Sequence, residues 1–233
     1  MNTSKVENEF SKYAKDYNNN NIIQQIIAKA LVRDIEKTPS TILELGCGSG
    51  QIFKYINWEL EKYTAVDFSS EMCKLHPKKE NVEVFCFDFD SKEFEKFLKD
   101  KKFDLIISAS AMQWSKDLSK LVKNLSKTTD ELNCVLFTSN TFKTIQEISK
   151  QKSPILDINT IKDSFSKHLS CEFEVFNYNL EFENKKDMFE YIKKSGVEGG
   201  GDKLPFKEAK RLYKEYPLTY LEFEVIFIKG LVG

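Results

Sequence analysis

The chain has 233 residues, 41% of them hydrophobic, and a formal charge of -1, which suits one α/β domain with a modest insertion. The near-neutral balance argues against a general nucleic-acid binder, which carries a marked basic excess. The five cysteines (Cys47, Cys73, Cys86, Cys134 and Cys171) are odd in number and form no C-x-x-C pair, so neither a disulfide framework nor a zinc site is expected.

Met1 to Phe10 is polar and lacks the apolar run of a signal peptide. No stretch approaches the roughly 18 apolar residues of a membrane span. A cytoplasmic monomer without metal, membrane or nucleic-acid partners is expected. The first predicted element is a helix over 22–35, with Ile23, Ile26, Ile27, Ala30 and Leu31 on one face. Strands are then predicted at 41–45, 63–66, 82–87, 103–108 and 134–138, from short β-branched or apolar runs. Helical spacing fills the gaps at 51–60, 70–75, 93–100 and 118–126. Strands alternating with helices imply parallel, right-handed βαβ units and a doubly wound α/β sheet.

Beyond the fifth strand the regularity weakens. Residues 141–150 and 158–168 read as helices, separated by Ser153-Pro154, and 173–182 and 220–228 read as strands. Between those strands lie a helix at 186–194, the turn Gly199-Gly200-Gly201 and a helix at 205–216. An intervening segment that long inside a compact domain is usually functional. It is expected to form a helical cap, 184–216, on a single domain spanning 1–233, with 1–35 as an N-terminal lid.

The chemistry centres on Ile42-Leu43-Glu44-Leu45-Gly46-Cys47-Gly48-Ser49-Gly50, a strand running into a glycine-rich turn and a predicted helix. Glycines let a backbone turn tightly and approach a ligand, and a helix start offers free N–H groups. A nucleotide-type ligand at the carboxyl edge of the first strand is the expectation for such a sheet. A dinucleotide site uses G-x-G-x-x-G. Here the third glycine comes one place early and Glu44 precedes the first by two. That form resembles the first motif of class I S-adenosylmethionine methyltransferases, in which the acid helps organise the methionine amino group.

Further acids end the next two strands. Asp67 stands about 20 residues on, where a carboxylate accepts ribose hydroxyls, although it is equally placed to cap a helix near Ser69-Ser70. Phe87-Asp88-Phe89 resembles the place where these enzymes read the adenine amino group and pack its ring; a solvent-facing acid beside core aromatics is the plainer alternative.

Across nearly its whole length the chain resembles the malonyl-acyl-carrier-protein O-methyltransferases of biotin synthesis. The similar segments are 10–17 with Gln24, Ser108-Ala109-Ser110-Ala111-Met112-Gln113-Trp114, Phe137-Thr138-Ser139-Asn140-Thr141-Phe142 with Ile145-Gln146-Glu147-Ile148, Ile192-Lys193-Lys194-Ser195-Gly196-Val197 and Pro217-Leu218-Thr219-Tyr220. The resemblance implies a mostly parallel seven-stranded sheet with an antiparallel last strand. It also implies an S-adenosyl-L-methionine site, giving S-adenosyl-L-homocysteine, from Tyr17, Gln24, Glu44, Gly46, Cys47, Gly48, Gly50, Asp67, Phe68, Met72, Asp88, Phe89 and Ser108. Tyr17, Gln113 and Trp114 would shape the acceptor pocket.

The substrate so implied, a malonyl thioester on acyl carrier protein or coenzyme A, offers a carboxylate already ionised at neutral pH. It needs positioning rather than a general base, in keeping with only two histidines, His76 and His168, outside any recognisable motif. A carboxylate is best held by a bidentate arginine; of Arg33 and Arg211, Arg211 is the candidate, with a solvated role as its alternative. Lys203, Lys207, Lys210, Arg211 and Lys214 crowd a span with Glu208 as its acid. They read equally as a rim steering an acidic carrier protein or as a solvated helix face. Competing functions are methylation of another small carboxylate (trans-aconitate-like) or a carbon acid, and non-catalytic cofactor binding. The absence of an Asn-Pro-Pro-Tyr type motif disfavours nucleic-acid methylation, and the glycine spacing disfavours an NAD enzyme.

Overall fold

The computed structural model describes residues 21–195 and 204–233. Helix α1 (Ile22–Arg33) precedes β1 (Thr41–Leu45) and β2 (Lys62–Asp67), which are followed by α2 (Ser70–Leu75), β3 (Val82–Cys86) and α3 (Lys92–Leu98). Next come β4 (Leu105–Ala109), α4 (Leu118–Leu125), β5 (Glu131–Phe137), α5 (Lys143–Ser149) and α6 (Ile158–Ser166). Strand β6 (Ser170–Glu181), α7 (Lys185–Ser195), α8 (Phe206–Glu215) and β7 (Tyr220–Leu231) complete the order.

One seven-stranded sheet runs β3-β2-β1-β4-β5-β7-β6. β1 to β5 are parallel, and β7 is antiparallel to both β5 and β6. Both faces of β1 are covered, which is why Ile42 and Leu43 are equally buried although they point oppositely. On one face Ile42, Tyr63, Leu105, Ile107 and Val135 belong to the core that α1 covers, which continues to Met188, Tyr191 and Ile192 of α7. On the other, Leu43, Leu45, Val66, Ile106 and Leu132 meet α3, α4 and α6. Four helices begin on a side-chain cap: Ser69, Ser91, Asp117 and Asp157 each accept from a backbone N–H in the first turn.

Two predicted elements differ. In α1 the buried apolar stripe is Ile23, Ile27, Ala28, Leu31 and Val32, while Ile26 is exposed. Both stripes satisfy a 3.6-residue period, and packing over β4 and β5 selects this one. The helix predicted at 51–60 shrinks to one 3-10 turn, Phe53–Tyr55. From Ile56 onward the chain is extended: the Trp58 indole donates to Pro39 O at 3.1 Å, and Leu60 O accepts from Asn81. Ile56, Trp58 and Leu60 therefore alternate, as in a strand, against the core.

The register of the last strands places the segment between them. Phe137, the carboxyl end of β5, pairs with Val225 of β7, whereas β6 and β7 stay paired out to Glu181 and Tyr220. Residues 177–181 and 220–224 thus continue past the carboxyl edge as a two-stranded ribbon, roughly 15 Å long at about 3.3 Å per residue. The segment bearing α7 and α8 leaves from the ribbon's far end. Phe142 and Thr138 donate their N–H groups to Glu222 O and Glu224 O, tying the ribbon's base to the loop after β5.

Candidate active site

The sheet reverses direction of construction between β1 and β4, and such a switch point is where sheets of this kind form a ligand crevice at the carboxyl edge. The Gly46–Gly50 turn lines it. The Gly46 and Cys47 N–H groups both donate to Val66 O, at 2.7 and 3.1 Å. A Cβ on Gly46 would lie 2.1 Å from Ala111 Cβ, so only glycine lets the loops after β1 and β4 meet. Gly48, at φ +51, is the opposite case: among the described residues a Cβ there would find nothing within 4 Å. No helix long enough to present an N-terminus follows, because the 51–60 helix is missing. The predicted contribution of a helix start is accordingly absent, and the turn's own amides line the edge.

Asp67 braces the turn. One carboxylate oxygen accepts from Gly48 N at 2.9 Å and the other from Ser69 N at 2.8 Å. The cap of α2 is Ser69 rather than Asp67. Burial pushes the Asp67 carboxyl up to about 6, against the two backbone bonds that favour its charged form. Phe68 is half-buried beside it and Met72 is fully buried.

Glu44 is only 1% exposed. The Tyr63 hydroxyl donates to its Oε2, and His76 Nε2 stands 3.9 Å from the same oxygen. Burial raises the Glu44 carboxyl above its usual range, with His76 and Tyr63 opposing the shift. His76 is a component that sequence reasoning missed. A carboxylate inside a fully buried strand demands a partner, but nothing local says which residue supplies it. Cys47 is also buried, and the hydrogen bond it shares with the Cys73 thiol, then burial, hold its own thiol well above the ordinary value.

On the far side of the crevice, Ser108 Oγ donates to Leu45 O at 2.9 Å and staples β4 to β1. Ser110 adopts φ +59, and Gln113 Nε2 donates back to its carbonyl at 2.8 Å. Among the described residues Ser110 Oγ and Gln113 Oε1 are buried with no partner, and buried polar atoms ordinarily have one. Trp114 is half-buried against the α1-side core. Asp88 lies beyond β3 with one oxygen accepting from Asp90 N at 2.9 Å and the other 3.7 Å from Lys116 Nζ; Phe89 packs on the opposite core. Asp90, not singled out from sequence, accepts from Ser115 Oγ and Lys116 N and joins the loops after β3 and β4.

The glycine turn, Asp67, Phe68, Met72, Ser108 and Gln113 are thus gathered at the ends of β1, β2 and β4, with Asp88 and Phe89 beyond β3. Gln24 is buried on α1. Tyr17, the 10–17 segment, Gly196, Val197, the glycine turn 199–201 and Lys203 lie outside the described residues. Lys207 and Lys210 are exposed on α8. Arg211 is committed elsewhere: its Nη2 donates to Ile148 O at 3.2 Å, near the end of α5, and its Nε lies 3.9 Å from Glu215. Among the described residues no helix is long and apolar enough to cross a membrane.

Nucleoside chemistry fits these residues. The open face of Gly48 is a cradle that a Cβ would fill, Asp67 retains free lone pairs beside it, and two unpartnered oxygens stand across the crevice. A family model described as "Methyltransferase domain" matches residues 43–131, from β1 into β5. Relatives named malonyl-[acyl-carrier protein] O-methyltransferase include one from Calditerrivibrio nitroreducens, 27% identical over 99% of this chain and 98% of its own. Another, from Haemophilus influenzae, is 26% identical over 83% of this chain and 77% of its own. The match to the Priestia megaterium protein is 29% identical but spans 64% of this chain and 56% of that one. Among solved structures, the YcgJ protein of Bacillus subtilis superposes with TM-score 0.65 at 15% identity, over 88% of this chain and 98% of that one. The plantazolicin methyltransferase BpumL in complex with SAH gives 0.53 at 16% identity, over 96% and 93%. Fold, glycine turn and family match converge on an S-adenosylmethionine-dependent methyltransferase: the chain has the class I methyltransferase fold and is similar over most of its length to proteins named malonyl-[acyl-carrier protein] O-methyltransferase.

Proposed function

We propose that this enzyme esterifies the free carboxylate of a malonyl thioester carried on acyl carrier protein, at the entry to biotin synthesis, and works as a cytoplasmic monomer. The observation that carries this reading is a juxtaposition. The open glycine turn, the unpartnered Ser110 Oγ and Gln113 Oε1, and the ribbon that delivers α7 and α8 all belong to one carboxyl edge. The names of the full-length relatives support the same acceptor.

When bound, S-adenosylmethionine supplies an activated methyl group on a sulfonium centre. The chain's own residues hold and align. Asp67, Asp88 and the turn amides fix the nucleoside side. Gln113 and Trp114, with Tyr17, shape the acceptor side and exclude water, which gives rate through near-attack geometry. A malonyl carboxylate arrives ionised, so no protein base must take a proton from it. The α7–α8 segment acts as the cap. α8 is exposed on nearly every side, with only Leu212 buried, and it offers Lys207, Lys210 and Lys214 beside Phe206, which is 83% exposed. A basic face with an exposed aromatic suits an acidic carrier protein and raises the encounter rate. With Arg211 capping α5, the substrate carboxylate falls to the Ser110 hydroxyl, which can donate, or to backbone amides.

Competition among acceptors tests this reading. Labelled methyl from S-adenosylmethionine should pass to malonyl-acyl carrier protein in preference to malonyl-coenzyme A, succinyl-carrier protein and trans-aconitate. Preference for trans-aconitate would replace the proposed acceptor.

A further inference from the structure

We propose that His76 is a positioning residue for the cofactor: its imidazole and the Glu44 carboxyl share one proton, and with that proton in place the Gly46–Gly50 turn keeps the shape that admits S-adenosylmethionine. The proposal rests on the cofactor lying against that turn.

His76 is 2% exposed. Its Nδ1 lies 3.0 Å from Pro77 O, and a carbonyl only accepts, so Nδ1 carries a hydrogen. In the neutral ring Nε2 is then a bare lone pair, and it faces Glu44 Oε2 at 3.9 Å with no hydrogen-bond partner of its own among the described residues. Two electron-rich groups facing each other in a buried site repel. One proton between them gives either an imidazolium–carboxylate pair or a carboxylic acid beside a neutral ring, and both remove the repulsion.

The ring is also the floor of the turn. A Cβ on Gly50 would come within 3.0 Å of His76 Cδ2 and 3.1 Å of Nε2. On the other side Gly48 is held by Asp67. The turn is therefore clamped between a carboxylate and an imidazole, and a shift of the ring passes directly into the segment that lines the crevice.

The surroundings let this proton be assigned. Glu44 of β1, Tyr63 of β2, Asp67 at the end of β2, Cys73 of α2 and Cys47 of the turn are the titratable groups around His76 and Glu44. Phe53 covers the ring at 5.6 Å between centroids, and Lys79 stands over Phe53 at 5.0 Å. Burial lowers the affinity of His76 for its proton, but the interactions with Glu44 outweigh it, and the ring titrates above 6.5. Tyr63 is held well above its ordinary value by burial and remains a donor throughout. The proton is therefore held to higher pH than an ordinary imidazole would hold it, and as pH rises past the ring's raised value it leaves and cofactor affinity falls with it. Asp67 titrates lower, near 6, and its effect is separable. The Cys73 thiol, lowered by its bond to Cys47, needs a control.

The test is calorimetric titration of S-adenosylhomocysteine into the full chain from about pH 6 to about pH 9, for wild type, His76→Gln, His76→Phe and Cys73→Ala. Wild-type Kd should rise about tenfold or more across this range, one unit of coupled titration being a factor of ten. In His76→Gln the amide N–H donates to Glu44 at every pH, so that limb should flatten while affinity near pH 6 stays within a few-fold. His76→Phe should bind weakly throughout, and Cys73→Ala should keep the wild-type limb. The ligand's own amino group titrates identically in all arms and cancels in the ratios. A His76→Gln protein that keeps the wild-type limb would overturn the proposal, as would a Cys73→Ala protein that loses it. A wild-type chain that binds no S-adenosylhomocysteine at any pH would instead overturn the placement of the cofactor on which the proposal rests.

Discussion

Gly48→Ala separates cofactor space from structural space. Among the described residues the new methyl would meet no atom within 4 Å, so overpacking adds nothing to its stability cost. What remains is the left-handed conformation at φ +51, worth roughly 1–2 kcal/mol for a side-chain-bearing residue. Lower entropy of the unfolded chain offsets about 0.4–1 kcal/mol of that. The net loss of about 1 kcal/mol corresponds to a fall in melting temperature of roughly 2–4 °C for a domain of this size. In the complex the same methyl competes with the ligand for the cradle, and crowding of that kind costs about 1–3 kcal/mol. S-adenosylhomocysteine should therefore bind roughly 5- to 150-fold more weakly to a protein that is still folded. Gly46→Ala is the contrast. Its methyl would sit 2.1 Å from Ala111 Cβ, against about 3.5–4 Å for a carbon–carbon contact, so the loops after β1 and β4 must separate. A melting-temperature loss on the order of 10 °C is expected there. Differential scanning fluorimetry with and without S-adenosylhomocysteine reads both quantities. Wild-type affinity in a folded Gly48→Ala protein would refute the argument, because the open face of the turn would not be where the cofactor packs.

Asp67, raised to about 6 from 3.8, contributes stability that is present at low pH and lost as pH rises through about 6. Wild type should gain about 1 kcal/mol from this group between pH 7 and pH 5, and Asp67→Asn should lack that component in melts across this range; equal pH profiles would refute it. Thiol reactivity should be ordered. At mildly alkaline pH an alkylating agent followed by peptide mass mapping should label exposed Cys86 and the lowered Cys73 before buried Cys47 and Cys134, whose thiols are held well above the ordinary value. Charge reversal at Lys207 and Lys210 should slow turnover of malonyl-acyl carrier protein about tenfold at low salt and spare malonyl-coenzyme A. Equal losses on both substrates would reject the docking role of α8.

The parts of the fold written in local pattern were legible. Five apolar runs between helical stretches gave the parallel strands, whereas the caps at Ser69, Ser91, Asp117 and Asp157 were not singled out, and Asp67, the cap the sequence offered, braces the glycine turn instead. The glycine turn was legible because close approach and positive φ both demand residues without a Cβ. What sequence did not reveal depends on contacts far apart in the chain. The face of α1 is chosen by the sheet beneath it, and the 51–60 helix is lost to the anchors at Pro39 and Asn81. Glu44 and His76 meet only once β1, β2 and α2 are assembled. Arg211, free to reach inward on the sequence alone, is held by a carbonyl near the end of α5.

The most direct test is to incubate the purified chain with S-adenosylmethionine and malonyl-acyl carrier protein and to weigh the carrier by intact mass spectrometry. The account predicts a single added methyl that mild base removes as an ester. No methyl on the malonyl carrier, from a chain shown to bind S-adenosylmethionine, would contradict the proposed reaction and direct the search to another small-molecule acceptor at the same edge.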